Sequence, residues 1–174
     1  GTANIANGSA AMISNITGSY NVSLGNQAVY QNTSGSYNVG VGPSTLFQNV
    51  TGNANVALGW KALEGTFGQS MSSSTALGSW AGQTNTTGNN NLYLGDEADA
   101  LAGTYSNSAA IGSHAKVGAS NSIVLGGTGA WAANVGIGTS TPWAKLSIQN
   151  TYGSQTTLFD VASSTNASGS ATSS

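Results

Sequence analysis

Charge is nearly absent from this chain. Charged residues make up 5% of its 174 positions, against about 25% in an average domain. There is no Arg, and three Lys against five Asp and Glu leave a formal net charge of −2. Binding a phosphate backbone needs Lys and Arg to displace counterions, so nucleic acid is not an expected partner. A basic membrane-binding face is missing as well, so no membrane contact is expected from this segment. Cysteine is absent, which excludes a disulfide framework and thiolate metal sites and leaves the redox compartment open. No apolar run approaches the about 18 residues that cross a bilayer. Neither an initiator Met nor a signal peptide is present, and the pattern is already under way at Gly1, as expected of a segment of a longer protein.

What the chain has instead is repetition. Asn, Ser, Thr and Gly with so little charge would fit disorder, but 39% apolar residues in strict phase can offset ordering entropy over residues 1–148. An apolar–small–apolar–Gly tetrapeptide recurs at Val22–Gly25, Val39–Gly42, Val56–Gly59, Thr75–Gly78, Leu92–Gly95, Ala109–Gly112, Ile123–Gly126 and Val135–Gly138. Its closing glycines are 17, 17, 19, 17, 17, 14 and 12 residues apart. A short, regular period of this kind predicts a solenoid, one rung per repeat.

A second phrase, Asn-x-Thr/Ser-Gly, keeps step as Asn15–Gly18, Asn32–Gly35, Asn49–Gly52 and Asn85–Gly88. Two glycines at fixed places predict two tight bends per rung, with φ > 0 reached cheaply. Two bends leave room for two short strands. The tetrapeptide is the first, its apolar members sharing one face. Its small middle residue predicts close packing on the other face. The second strand is expected after the glycine, at Ala28–Tyr30, Thr45–Phe47 and Lys61–Leu63. Helix is disfavoured by the frequent Gly and Asn and by apolar spacing of two. In a stack, Asn21, Asn38, Asn55, Asn91 and Asn134 would form an amide ladder. Tyr20 would lie over Tyr37, and Tyr30 over Phe47.

A two-strand rung encloses a thin interior, marginal for one chain. Three rolls meeting around the small-residue face of the first strand would bury it. Asn55–Gly59 resembles the repeats of trimeric autotransporter adhesin heads. Asn32–Gly42 and Asn134–Ile148 are similar to segments of related bacterial surface fibres and phage tail fibres. The resemblance covers about residues 1–150 and departs from the adhesin heads in its longer repeat. It implies an all-β, left-handed parallel β-roll, three chains wound together, on a cell or virion surface.

The organisation read from this pattern is a β-roll domain over 1–128, a connector with short strands over 129–161 and a low-complexity flexible tail over 162–174. Residues 1–14 form an imperfect first rung. The long interval before Gly78 predicts an insertion within 65–74, and the short intervals after Gly112 predict loss of part of the outer strand. Thr141-Pro142 breaks the ladder, since Pro lacks a donor and forces its predecessor extended. Lys145–Ile148 and Thr157–Val161 read as short strands beyond it, and the Ser/Thr/Ala/Gly/Asn composition of 162–174 is that of a flexible linker.

Chemistry-bearing residues are few. Asp96, Glu97 and Asp99 form the one acidic cluster, but the spacing matches no EF-hand or glycine-rich Ca²⁺ repeat. His114, the sole imidazole, has no Cys or carboxylate near it in sequence and reads as a surface or inter-chain histidine; the alternative is a ring of three copies around a trimer axis, holding a metal or an anion. Gly40-x-Gly42 and Gly136-x-Gly138 belong to the repeat and complete no phosphate-loop pattern. A nucleophile needs an oriented base, and one His with five carboxylates offers little. Trp60, Trp80, Trp131 and Trp143 are expected to cap the core or seal chain contacts, with sugar stacking or an interface hot spot as the alternative. The sequons at Asn15, Asn32, Asn49 and Asn85 would lie on a loop edge. No catalytic, cofactor-binding or metal residue is assigned, and no cofactor is expected.

The function expected is therefore a non-enzymatic structural or adhesive segment of an extracellular trimeric fibre, a bacterial surface adhesin or filament. A phage tail-fibre shaft or receptor-binding segment is the alternative. The expected partners are further copies of the chain itself and a host-surface glycan or protein. A carbohydrate hydrolase would need paired carboxylates on one face, and the only close ones share a loop.

Overall fold

The computed structural model describes residues 1–66 and 68–148. It divides into a unit spanning Gly1–Ala133 and a second that begins at Asn134. The expected strand at Thr157–Val161 and the tail lie outside the described residues.

The first unit is an all-β solenoid. Its strands β1 (Ile5–Asn7), β2 (Val22–Leu24), β3 (Val39–Val41), β4 (Val56–Leu58), β5 (Thr75–Leu77), β6 (Leu92–Leu94), β8 (Ala109–Ile111) and β10 (Ile123–Leu125) stack in that order as one parallel sheet. Equivalent repeat positions pair throughout, as Val22 with Val39 and Val39 with Val56. The tetrapeptide therefore marks the strand, and the imperfect first rung supplies β1. Two further strands, β7 (Asp99–Ala100) and β9 (Lys116–Val117), form a small parallel pair in the outer segment. In the second unit β11 (Val135–Ile137) pairs with β12 (Leu146–Ile148), preceded in the chain by a 3₁₀ turn at Gly129–Trp131. The last tetrapeptide thus belongs to this separate hairpin-sized sheet. Asn134 there donates to Pro142 O at 3.1 Å and stands outside the ladder expected of it.

The faces of the strand are the reverse of those expected. Small middle residues Ser23, Gly40, Ala57, Ala76 and Ala110 point into the roll and are buried, as is Tyr93. The apolar residues beside them face outward, Leu24, Leu58, Leu94 and Leu125 being exposed. The interior is so thin that only small side chains fit opposite Val29, Leu46 and Leu63. Volumes compensate where the rule is broken. Tyr93 is large because Gly82 faces it: a Cβ on Gly82 would lie 2.5 Å from the Tyr93 ring.

The expected second strand is absent from the early rungs. Ala28–Tyr30, Thr45–Phe47 and Lys61–Leu63 are turns, with left-handed residues alternating through them, as at Gln27 (φ 53) and Val29 (φ 51). This alternation sends successive N–H groups to opposite neighbours: Gln27 N donates to Ser9 O, and Val29 N to Thr45 O, each at 2.8 Å. Hydrogen bonds are kept between rungs without strand geometry. Only at Asp99 and Lys116 does the outer segment straighten into β7 and β9, so the shortened last rung retains it. The long rung accommodates its extra residues between Glu64 and Gln69, where Gln48 still bonds Glu64 but Val50 reaches Gln69.

Two series of asparagines run along the roll, and the first is a hydrogen-bonded ladder that starts at Asn4. Asn38 N donates to Asn21 Oδ1 at 2.9 Å and Asn55 N to Asn38 Oδ1 at 3.1 Å. Each ladder Nδ2 reaches a turn carbonyl, Asn21 to Gly35 and Asn38 to Gly52, both at 2.8 Å. Ser74 and Ser108 continue the series between and beyond Asn55 and Asn91. The second series comprises Asn15, Asn32, Asn49 and Asn85, whose Nδ2 groups close the Asn-x-Thr/Ser-Gly turns, and Asn32 also donates to Asn15 Oδ1 in the rung before it. Asn32, Asn49 and Asn85 are fully buried, which overturns the reading of them as loop-edge glycosylation sites. The glycines of these turns have no positive φ; a Cβ there would strike the next rung's backbone and the Asn amide. Tyr20 stacks on Tyr37 at 5.2 Å and Tyr30 on Phe47 at 4.8 Å, as the register predicts.

Candidate functional site

One position of the rung collects the chemistry of the roll. The second residue after each strand-closing glycine is Ala10, Gln27, Ser44, Lys61, Trp80, Glu97 and then His114. All seven are left-handed, with φ between 52 and 59°. The peptides hold them in file: Trp80 N donates to Trp60 O and Glu97 N to Ser79 O at 2.9 Å, and His114 N to Asp96 O at 2.8 Å. Along this file the side chains change from small and neutral to Lys, Trp, Glu and His. Every charged residue of the first unit (Lys61, Glu64, Asp96, Glu97, Asp99 and Lys116) lies on or beside it.

These side chains touch one another in sequence. Lys61 Nζ lies 3.0 Å from Glu64 Oε1 and 4.4 Å from the centre of the Trp80 ring. Trp60 meets Trp80 edge to face at 4.9 Å, a favoured aromatic geometry. Gln83 Nε2 donates to Glu64 at 3.1 Å. His114 Nε2 lies 3.3 Å from Glu97 Oε2, its Nδ1 lies 2.8 Å from Ser113 Oγ, and its ring stacks on Trp131 at 3.9 Å. Lys116 Nζ donates to Glu97 O at 2.9 Å and lies 3.9 Å from Asp99 Oδ2.

Between the two ends of this stripe is a cleft of about 260 Å³ lined by Trp80, Gln83, Glu97, Asp99 and Lys116. Asp99 is its fixed wall. The Thr84 hydroxyl donates to Oδ2 at 2.6 Å, and the Thr84 and Ala100 N–H groups hold Oδ1 and Oδ2. Burial pushes the Asp99 carboxyl up, and these hydrogen bonds and Lys116 offset part of the rise. Burial, then the nearby Asp99 charge, pushes the Tyr93 hydroxyl up, so it stays protonated. Its oxygen is buried and unpartnered among the described residues.

The acidic cluster expected at Asp96, Glu97 and Asp99 is therefore split. Asp99 turns inward, while Asp96 and Glu97 meet His114, with ligand atoms within 4.8 Å of one another. One imidazole and two carboxylates could hold a divalent cation, but both carboxylates are exposed and Glu97 already faces the imidazole. His114 has carboxylate neighbours after all: sequence distance hides what one turn of the roll brings together. Three of the tryptophans do not cap the core. Trp60 and Trp131 are half exposed and Trp143 is 90% exposed. Sequence reading singled out the tryptophans, the acidic residues and His114, but did not join them or include Gln83 and Lys116. The shared offset from the glycine was the signal that joins them.

No family model matches the chain, and neither a curated protein nor a solved structure matches it.

Proposed function

We propose that this segment is a non-enzymatic structural and adhesive part of an extracellular trimeric fibre on a bacterial surface, built as a left-handed roll of three copies. The carrying observation is the outer face of the eight-stranded sheet. Val22, Leu24, Val39, Val41, Val56, Leu58, Leu77, Leu92 and Leu94 face outward in register, with Thr75 the one polar member from β2 to β6 and no charged residue among the strands of that sheet. An apolar surface continuous over many rungs marks an interaction site in a soluble protein. Identical rungs in parallel register favour identical partners over a single foreign one, and packing about a common axis closes the assembly. The axis faces the apolar side of the strand, since the small residues already fill the roll.

The non-enzymatic reading rests on the cleft. Asp99 is committed to Thr84 and Ala100, Glu64 to Lys61 and Gln83, and Glu97 to His114. Neither Lys61 nor Lys116 bonds a serine among the described residues. The surface location follows from the likeness of the repeats to those of surface fibres.

Light scattering on the purified segment tests the proposal. A folded particle of three times the 17.2 kDa chain mass is expected. A folded particle of one chain mass overturns it.

A further inference from the structure

We propose that the cleft between Trp80 and Lys116 is a binding site for a neutral saccharide. This goes beyond the fibre reading and does not depend on it, since the cleft is built within one chain.

Saccharides are recognised by an aromatic face against the sugar's C–H surface and by planar or charged groups against its hydroxyls. The cleft has both. Trp80 supplies the indole. The Lys61 ammonium over that ring comes from the preceding rung, whereas the cleft is lined from Trp80's own rung and those that follow, so Lys61 backs the indole and leaves the cleft to a ligand. Gln83 supplies its amide oxygen, its Nε2 being held by Glu64, Glu97 supplies Oε1, its Oε2 facing His114, and Lys116 supplies an ammonium. Asp99, buried and held by three donors, fixes one wall. A volume of about 260 Å³, near the lower end for ligand sites, suits a single sugar ring.

Charge selects the class. The stripe carries four carboxylates (Glu64, Asp96, Glu97 and Asp99) against two ammonium groups, Lys61 and Lys116. An acidic surround repels sialylated or sulfated chains, and no Arg is present to clamp a carboxylate or sulfate. The rungs before Lys61 place Ala10, Gln27 and Ser44 at the same offset. That position tolerates small neutral residues, so folding does not require Trp, Glu or His there.

The test is tryptophan fluorescence and calorimetry on the intact segment with cellotetraose, maltotetraose, mannotetraose and N-acetylchitotetraose, and with sialyllactose as the anionic probe. At least one neutral tetrasaccharide is expected to bind. Trp80→Ala and the exposed Glu97→Gln should each weaken it by tenfold or more, while Trp143→Ala leaves it unchanged. Binding by none of the four, binding of sialyllactose alone, or undiminished binding by Glu97→Gln overturns the proposal. Should Trp80→Ala change the particle mass in light scattering, the stripe is an interface between chains, which also overturns it. Loss of the trimer in the unaltered segment overturns the fibre reading and leaves the saccharide result standing.

Discussion

Asparagine is the residue on which this roll turns. Asn38 is fully buried, its Oδ1 accepts from the N–H and Nδ2 of Asn55, its Nδ2 donates to Gly52 O and its N–H donates to Asn21 Oδ1. Removing its amide leaves the buried Asn55 N–H unpaired, at about 1–3 kcal/mol, and takes one of two partners from Gly52 O, which keeps Asn49, and from Asn55 Nδ2, which keeps Met71 O. Asn38→Ala should therefore destabilise the segment by about 2–4 kcal/mol in denaturant unfolding, whereas Asn90→Ala, which loses an exposed bond to Asn107 and sets an alanine at φ 58, should cost about 1 kcal/mol. Asp99 yields a prediction in pH. Because its carboxyl is raised in the fold, the folded chain takes up that proton at a higher pH than the unfolded one. The associated stability is full below the unfolded value of about 4 and is lost as pH rises through the folded value. The melting temperature of the wild-type segment should gain on that of Asp99→Asn as pH falls from 7 to 4, and a gap that narrows on acidification would refute this. The ladder itself was legible in the sequence, because the buried asparagines recur at one offset. Their second bond to a turn carbonyl was not, since it joins residues 14 apart across two turns of unlike composition.

At the level of the rung, glycine and left-handed backbone have separate duties. Strand-closing Gly59 has φ +127, and a Cβ there would lie 2.5 Å from Gly78 O in the next rung. Gly68 in the inserted loop also has positive φ, +82, but a Cβ would meet nothing within 4 Å. Gly59→Ala should therefore disrupt stacking and cost several-fold more than the about 1 kcal/mol expected for Gly68→Ala from backbone conformation alone, which paired melting curves would reveal. The strands were legible because their period of two is strict. The outer turns were not, because their left-handed positions carry Gln27, Val29, Ser44, Leu46, Lys61 and Leu63, none of them a glycine or asparagine that would announce the conformation. Apolar residues two apart in Thr45–Phe47 read as a strand, yet alternation between left- and right-handed backbone also separates neighbouring side chains.

For the whole roll, two apolar surfaces with different tasks can be told apart by mutation. Leu46 is fully buried within the chain, and Leu58 is 45% exposed on the outer face of the sheet. Leu46→Ala removes packing inside the roll and should cost about 2–5 kcal/mol in the folded chain whatever its assembly state. Leu58→Glu removes little from the isolated roll but places a carboxylate in each copy at the proposed axis, where burial without a partner is strongly unfavourable. It should lower the particle mass in light scattering from three chains to one while circular dichroism at low temperature is preserved. A trimer that survives Leu58→Glu together with Val41→Glu would place the contact on another surface. The face assignment matters here: the sequence shows that both sides of the strand are specialised, but not which side is inside. The answer lies in the volume of the far wall, where Val29, Leu46 and Leu63 come close enough to leave room only for Ser, Gly or Ala. The larger apolar residues are thereby turned outward, onto the face that the proposed assembly of three chains would cover.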